Sequence, residues 1–348
     1  MTYDFLLDVL IPTYKRREQV VIAATSVAKQ AANHKLIDKV RISIIDDGSP
    51  QFSSKEITSH LAKWPVSYEV KKNTANKGMS LNILDMVCSS SGEFCTILTD
   101  DDWLKEGALD EIVKYLIEIK DRPGIGGIFT PRYSYLESGE LYCVVCMPFR
   151  KKRLIQPGPV NSLKYCHNGF ILTGFIFRTS LTAQKEWNEN IENSWFPIIN
   201  FSSILFSHGI LFVNRRWFHH TVLNHCHWER WGANQTTQAL RLYKDYMDAI
   251  TKISKKAMAS SLSKADKTKI FYHQFYHYQQ RMFVLLRQTG LNFICLLYQE
   301  STPATRKQLT FWLALLCIPV RQVGSSTKKL VGPWVKHLAM PLIDQRQR

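Results

Sequence analysis

Glu93-Phe-Cys-Thr-Ile-Leu-Thr-Asp-Asp-Asp-Trp103 is an apolar, β-branched run that ends abruptly in three consecutive carboxylates, Asp100, Asp101 and Asp102. Unbroken apolar character over about six residues predicts a strand buried on both faces of a parallel sheet. Ligands of open α/β sheets gather outside the carboxyl ends of such strands. Three acids placed there repel one another unless a cation joins them. Oxygen ligands in that number favour Mg²⁺ or Mn²⁺, ions that also hold substrate phosphates. A plainer reading makes the acids a loop in which Asp102 caps the next helix, with Glu106 and Asp110 in its first turn.

Working outward, the chain alternates strand and helix. Leu6–Tyr14 reads as a strand stopped by Pro12, followed by Lys15, Arg16 and Arg17 and a helical pattern from Val20 to Ala32. Val40–Ile45 is a second strand running into the turn Asp46-Asp-Gly-Ser-Pro50, and a polar helix over about 54–63 leads to a third, Val66–Val70. Asn73-Thr-Ala-Asn-Lys-Gly-Met-Ser80 is a loop that opens the helix ending near Cys88. The stretch around Thr96–Leu98 is the fourth strand, a helix spans about Lys105–Ile119, and Ile125–Thr130 is the fifth. This spacing indicates βαβ units and an α/β fold with a parallel sheet. Thr13–Arg16, Asp46–Ser49 and Asp100–Asp102 all follow strands, so they share the edge where a nucleotide should lie.

Val9-Leu-Ile-Pro-Thr-Tyr-Lys-Arg16, Ile44-Ile-Asp-Asp-Gly-Ser49, Asn76-Lys-Gly-Met-Ser-Leu-Asn82 and Leu98-Thr-Asp-Asp-Asp-Trp103 resemble, in order and spacing, the family 2 glycosyltransferases of GT-A fold. The resemblance covers roughly residues 5–215. It implies a Rossmann-like, mixed but mostly parallel sheet flanked by helices. It also implies a nucleotide-diphosphate sugar donor, a divalent metal (Mg²⁺ or Mn²⁺) and inversion at the anomeric carbon. Carried over by position, Pro12, Thr13 and Tyr14 resemble the loop against the nucleoside, with Arg16 close behind. Asp47, beside Asp46 in the turn, resembles the acid that hydrogen-bonds the base, with Asp46 also counted among the donor-binding residues, and Lys77 resembles the basic position near the diphosphate. Asp100 and Asp101 resemble the ribose and metal pair of the Thr-Asp-Asp form, whereas Asp100 and Asp102 would serve in the Asp-x-Asp form. Alternation puts residues two apart on one side of a strand, so both registers stay open.

Arg132–Arg153 reads as a hairpin at the acceptor side. Gly169–Arg178 reads as another strand, followed by a helix from Ser180; Thr173 and Gly174 would face the sugar, since Gly permits close backbone approach. Many family members carry a Glu-Asp pair near here, and its Asp is the catalytic base. This chain has no acid from Asn193 to Gly209 and reads Trp195-Phe-Pro197 instead. A similar replacement resembles transferases that build bacterial surface polysaccharides, including those adding deoxysugars to O-antigen. Glu192 is then the first candidate base, followed by Glu189, Glu229 or a histidine; Asp102 is a further catalytic candidate.

Ile210–Val213 is read as the last strand, and Phe218–Gly232 as an aromatic, imidazole-rich loop. Its histidines, among them His220, His225 and His227, offer a metal ligand or simply pack; Trp228 and Trp231 suit stacking on a sugar or a closing lid. Zinc shared with Cys226 fits no usual spacing, and Cys143-Val-Val-Cys146 lacks a second pair, so the cysteines read as reduced core thiols.

Residues 1–232 therefore read as the catalytic domain and 233–348 as a basic helical extension. Net charge is +16, and residues 250–348 hold 16 Lys and Arg against three acids, a net +13. Ser254–Lys269 is Lys-rich, and Leu309–Val320 is an apolar run flanked by Arg306, Lys307, Arg321, Lys328 and Lys329. That run is too short to span a bilayer but has the character of an interfacial anchor on anionic lipid. No secretory signal is read at the start, where Asp4 and Asp8 interrupt the apolar residues. The expected place is the cytoplasm, peripheral on the inner face of the cell membrane. The expected partners are a nucleotide sugar and a glycan or lipid-linked glycan acceptor, without nucleic acid. Two rivals are weighed. A sugar-phosphate nucleotidyltransferase would want glycines after the first strand, and Pro12–Arg16 lacks them. A nucleic-acid-binding protein would use the basic tail, which carries no recognised motif.

Overall fold

In the computed structural model, β1 (Phe5–Thr13) places Leu7, Val9 and Ile11 on one side of the main sheet and Leu10 on the other. That two-sided burial follows from an apolar run read at the period of a strand. The structure describes residues 3–136, 141–145, 151–170, 172–182, 184–222, 235–289, 303–308 and 311. By internal packing the chain divides into two units, Met1–His227 and Trp228–Arg348.

In the first unit β1 is followed by α1 (Arg17–Asn33), β2 (Val40–Asp46), α2 (Ser54–Leu61), β3 (Ser67–Lys72), α3 (Met79–Cys88) and β4 (Gly92–Ile97). Next come β5 (Trp103–Leu104), α4 (Ala108–Lys120), β6 (Ile125–Phe129), β7 (Arg132–Leu136), β8 (Leu141–Val145) and β9 (Arg153–Ile155). The unit closes with α5 (Pro159–Tyr165), β10 (Phe175–Arg178), α6 (Gln184–Asn188), α7 (Phe196–Ser207), β11 (Gly209–Phe212) and β12 (Phe218–Val222). The eight-stranded sheet has the order β3-β2-β1-β4-β10-β6-β11-β9, and a smaller sheet has the order β5-β12-β7-β8. β1 pairs parallel with β2 and β4, whereas β10 runs antiparallel between β4 and β6. The mixed, mostly parallel sheet flanked by helices is as expected.

Alanines decide how closely α1 lies on the sheet: Ala23, Ala24, Ala28 and Ala31 are fully buried beside Val20 and Val27. α1, α2 and α4 cover one face with Ile57, Leu61, Leu109, Ile112 and Leu116. α3 and α7 cover the other with Ile83, Val87, Phe201 and Leu205. Each such side chain taken from water contributes about 1.5–3 kcal/mol.

Several expectations are corrected. The stretch from Gly169 is not a continuous strand: Cys166–Phe170 is a 3₁₀ turn and the strand begins at Phe175. A Cβ on Gly169 would meet Phe201 at 2.3 Å, so packing on α7 governs that segment, and Gly174 at φ +108° makes the corner into β10. No long helix starts at Ser180; a 3₁₀ turn, Thr179–Leu181, precedes the short α6. α4 starts at Ala108 behind Gly107 at φ +77°, so Asp102 does not cap it, and Trp103–Leu104 is a strand. Arg132–Leu136 pairs antiparallel with Leu141–Val145, but Arg153 belongs to β9 on the main sheet. Phe218–Val222, read as loop, is a strand paired with both β5 and β7.

Among the described residues of the second unit are the helices Gln235–Met258 and Lys264–Thr289 and the short helix Pro303–Arg306. Tyr246, Met247, Ile250 and Ile253 are buried on the first helix, and Ile270, Phe275, Tyr278 and Met282 on the second. Among the described residues no helix is long and apolar enough to cross a membrane. Apart from Phe311, the apolar run at 309–320 lies outside the described residues, as do Cys146, Glu229, Trp228, Trp231, His225, His227 and Cys226.

Candidate active site

Parallel pairing brings the carboxyl ends of β2, β1 and β4 side by side: Thr13 is opposite Asp46, and Leu98 N–H donates to Leu10 O. Because β10 is antiparallel, its amino-terminal end, with Thr173 and Gly174 just before it, meets the same edge. Four chain segments thus deliver polar side chains to one place.

Thr13 Oγ1 donates to Asp100 Oδ2 at 2.8 Å. One guanidinium nitrogen of Arg16, Nη1, donates to Asp100 Oδ1 and to Asp101 Oδ2, each at 2.8 Å. The cation expected between the acids is thus supplied, in this arrangement, by the chain itself. Burial pushes the Asp100 carboxyl up to about 6, although Arg16 pulls the other way. Burial works against the charge on Arg16, but the two carboxylates outweigh it and raise its pKa.

Asp102 is engaged elsewhere. Its Oδ2 faces His220 Nδ1 at 2.9 Å and accepts from Thr99 Oγ1 at 2.7 Å, while Oδ1 accepts from Thr221 N–H at 3.1 Å. A carboxylate only accepts, so Nδ1 of His220 carries the proton. Burial opposes the charge on Asp102, yet His220 beside it holds the carboxyl below its ordinary range. His220 is 1% exposed and its Nε2 is buried with no hydrogen-bond partner. The pairing of β12 with β5 makes this contact possible, because His219 lies opposite Trp103 and the next residue reaches Asp102. His219 is stacked between Trp103 and Tyr135, at 3.9 and 4.3 Å between ring centres.

Asp47 is a tether. Its Oδ1 accepts from Asn73 Nδ2 at 3.0 Å and Lys77 N–H at 2.9 Å, and its Oδ2 accepts from Gly78 N–H at 2.9 Å. The loop before α3 is thereby tied to the tip of β2. Gly48 permits the closeness: its φ is +77°, and a Cβ there would meet the Ala75 carbonyl carbon at 2.6 Å. Asp46 holds the same turn, accepting from Ser49 N–H and Oγ at 2.7 and 2.5 Å. Thr173 Oγ1 accepts from Thr99 N–H at 3.1 Å, which joins the β10 corner to the acid loop.

Other expected positions sit differently. Lys77 Nζ pairs with Asp85 at 2.7 Å, both about half exposed, and only its backbone joins the network. Pro12 is half-buried, and Tyr14 is exposed with Lys15 Nζ 4.9 Å from its ring centre. Glu192 is exposed in the turn between α6 and α7, and Glu189 is exposed beside it. Two contributors were not singled out from the sequence: Thr99, whose hydroxyl links Asp102 to Thr173, and Asn73, which donates to both Asp47 and Asn82. Threonine after a buried strand and asparagine before a Gly loop are the available signals.

Among the described residues no group of three or more His, Cys, Asp or Glu converges as a ligand set for a metal ion. The donor chemistry still fits a divalent cation. Asp100 and Asp101 present carboxylate oxygens to one point, and the orphaned Nε2 of His220 belongs to a carboxylate-backed imidazole, the usual arrangement behind a metal-binding histidine.

A family model described as glycosyl transferase family 2 matches residues 8–174. Among solved structures, S. aureus TarS 1–349 is similar in fold, at 13% identity over 92% of this chain and 92% of that one, with a TM-score of 0.57. The same S. aureus protein described in complex with UDP-GlcNAc gives 15% identity, 99% and 89% coverage and a TM-score of 0.58. No curated protein matches the sequence.

Proposed function

We propose, from the premise that residues 8–174 are a glycosyl transferase family 2 domain, that this glycosyltransferase moves a sugar from a nucleotide-diphosphate donor to a glycan hydroxyl with inversion. The acceptor in this reading is a surface polysaccharide precursor, lipid-linked and met at the inner face of the cell membrane. One observation carries the donor assignment. The tips of β1, β2 and β4 and the corner before β10 are tied together by Asp47, Asp100, Asp102 and Thr173, leaving Arg16 and a carboxylate pair at their centre. Arg16 against these carboxylates leaves the ledge net negative, so it suits a divalent cation, through which a diphosphate would be held.

The leaving diphosphate gains charge as the anomeric carbon becomes oxocarbenium-like. Arg16 lies against the acid loop and would stabilise that charge on turning from Asp100 and Asp101 to the leaving group. Asp100 and Asp101, whose oxygens Arg16 Nη1 bridges, would hold a divalent cation in its place, with His220 as a further ligand and Asp102 fixing its tautomer. Such an ion, when bound, supplies Lewis-acid stabilisation of the leaving group. Thr13 and Asp47 keep the nucleoside side of the ledge in register. Glu192 is our first assignment for the group that takes the acceptor proton, with Glu229 second.

A UDP sugar is the first donor to try, because the fold neighbour TarS has been solved with UDP-GlcNAc. The test is a nucleotide-sugar hydrolysis panel with and without Mn²⁺. The expected result is slow hydrolysis of one donor, dependent on Mn²⁺; a folded protein that hydrolyses and binds none of them would overturn the reading.

A further inference from the structure

The second unit carries a charged surface of its own. Its two long helices form a hairpin, tied by Tyr246 to His277 (2.9 Å) and Thr251 to Tyr278 (2.5 Å), and turn through residues 259–263. Between positions 248 and 269 the hairpin end carries Lys252, Lys255, Lys256, Lys264, Lys267 and Lys269 against Asp248 and Asp266, a net +4. Asp248 pairs with Lys252, and Asp266 pairs with Lys269. All six lysines are exposed, and Met258 stands among them, 43% exposed. At 1.5 Å rise per residue these charges lie within about two helical turns of the tip, so at physiological ionic strength they act together over roughly one Debye length.

Folding does not account for this clustering. The second helix is already capped: Asp266 N–H donates to Ser263 Oγ at 3.1 Å, and Ser263 Oγ donates to Asp266 Oδ2 at 2.9 Å. Lys264 and Lys267 then add positive charge at the positive end of a helix dipole, where cations are unfavourable. The apolar residues Ile253, Ala257 and Ile270 are buried, while Lys255, Lys264 and Lys267 are exposed.

We infer that the hairpin tip, around Met258, docks on an anionic lipid surface. This rests on the membrane-apposed part of the function proposed above and names the surface that makes contact. A convex end with one protruding thioether suits a flat bilayer. Single-stranded nucleic acid instead wants a groove lined with aromatic rings, and positions 252–269 contain no aromatic residue.

The experiment is co-sedimentation of the full chain with phosphatidylcholine vesicles and with vesicles containing about one-third phosphatidylglycerol. The wild type should pellet only with the anionic vesicles and be released as salt rises from about 0.05 to about 0.5 M. K255E/K256E/K264E/K267E should bind at least ~10-fold more weakly, and the matching Lys→Arg variant should bind as the wild type does. Circular dichroism and donor hydrolysis, unchanged in both variants, show that the fold and the catalytic unit are intact. Equal pelleting of the charge-reversed variant would overturn the assignment of the tip while leaving membrane apposition standing. Equal pelleting on phosphatidylcholine, or preference for RNA over anionic vesicles, would overturn lipid docking itself.

Discussion

Asp102 and His220, 118 positions apart, share a hydrogen bond of 2.9 Å while being nearly inaccessible to solvent. The carboxylate of Asp102 thereby orients the imidazole of His220. Asp102→Asn should therefore lower turnover about 10–100-fold, the scale of lost support behind a functional histidine. His220→Ala should cost a similar factor, and the double variant little more, since the two act as one unit. Steady-state rates of the three variants check this; additive losses would separate the residues.

Asp100 gives a pH dependence. Its folded pKa, raised by burial to about 6, lies above the ordinary carboxylate value. Its stabilising contribution is thus present in full below about pH 4 and lost as pH rises through about 6. In chelator, Asp100→Asn should be more stable than the wild type by about 3 kcal/mol near pH 7.5, with no difference near pH 4. Thermal melts across that range measure it. The same variant should lose donor hydrolysis.

Asp47→Ala removes the acceptor for three donors of the loop before α3 while leaving those groups partly buried. The expected destabilisation is about 3 kcal/mol, and the KM for the donor should rise more than kcat falls. Urea unfolding and donor kinetics test the two halves.

Gly48→Ala forces a side chain onto the Ala75 backbone at a positive φ. A loss of about 2 kcal/mol or more is expected. A neutral outcome by thermal melt would mean that the Asp47–Ala75 region does not need this closeness.

Much of the site was legible because each cluster ends a buried strand, and burial on both faces shows as mostly apolar, β-branched residues before Thr13, Asp46 and Asp100. What stayed hidden depends on contacts distant in sequence. Arg16 reads as one of three cations after Tyr14, and only the adjacency of β1 and β4 shows it between two acids. His220 was one histidine in an apparent loop until pairing with β5 put it behind Asp102. Lys77 matched by position, yet its side chain is satisfied locally by Asp85, a partner eight residues on along α3 that a motif does not reveal.

The most direct test of the central claim is calorimetric titration of a nucleoside diphosphate, UDP first, into wild type and Asp101→Asn in the presence of Mn²⁺. The account predicts binding to the wild type and at least ~10-fold weaker binding to the variant, with an unchanged melting temperature. Equal affinity for both proteins, or no binding by a folded wild type to any nucleoside diphosphate, would contradict it.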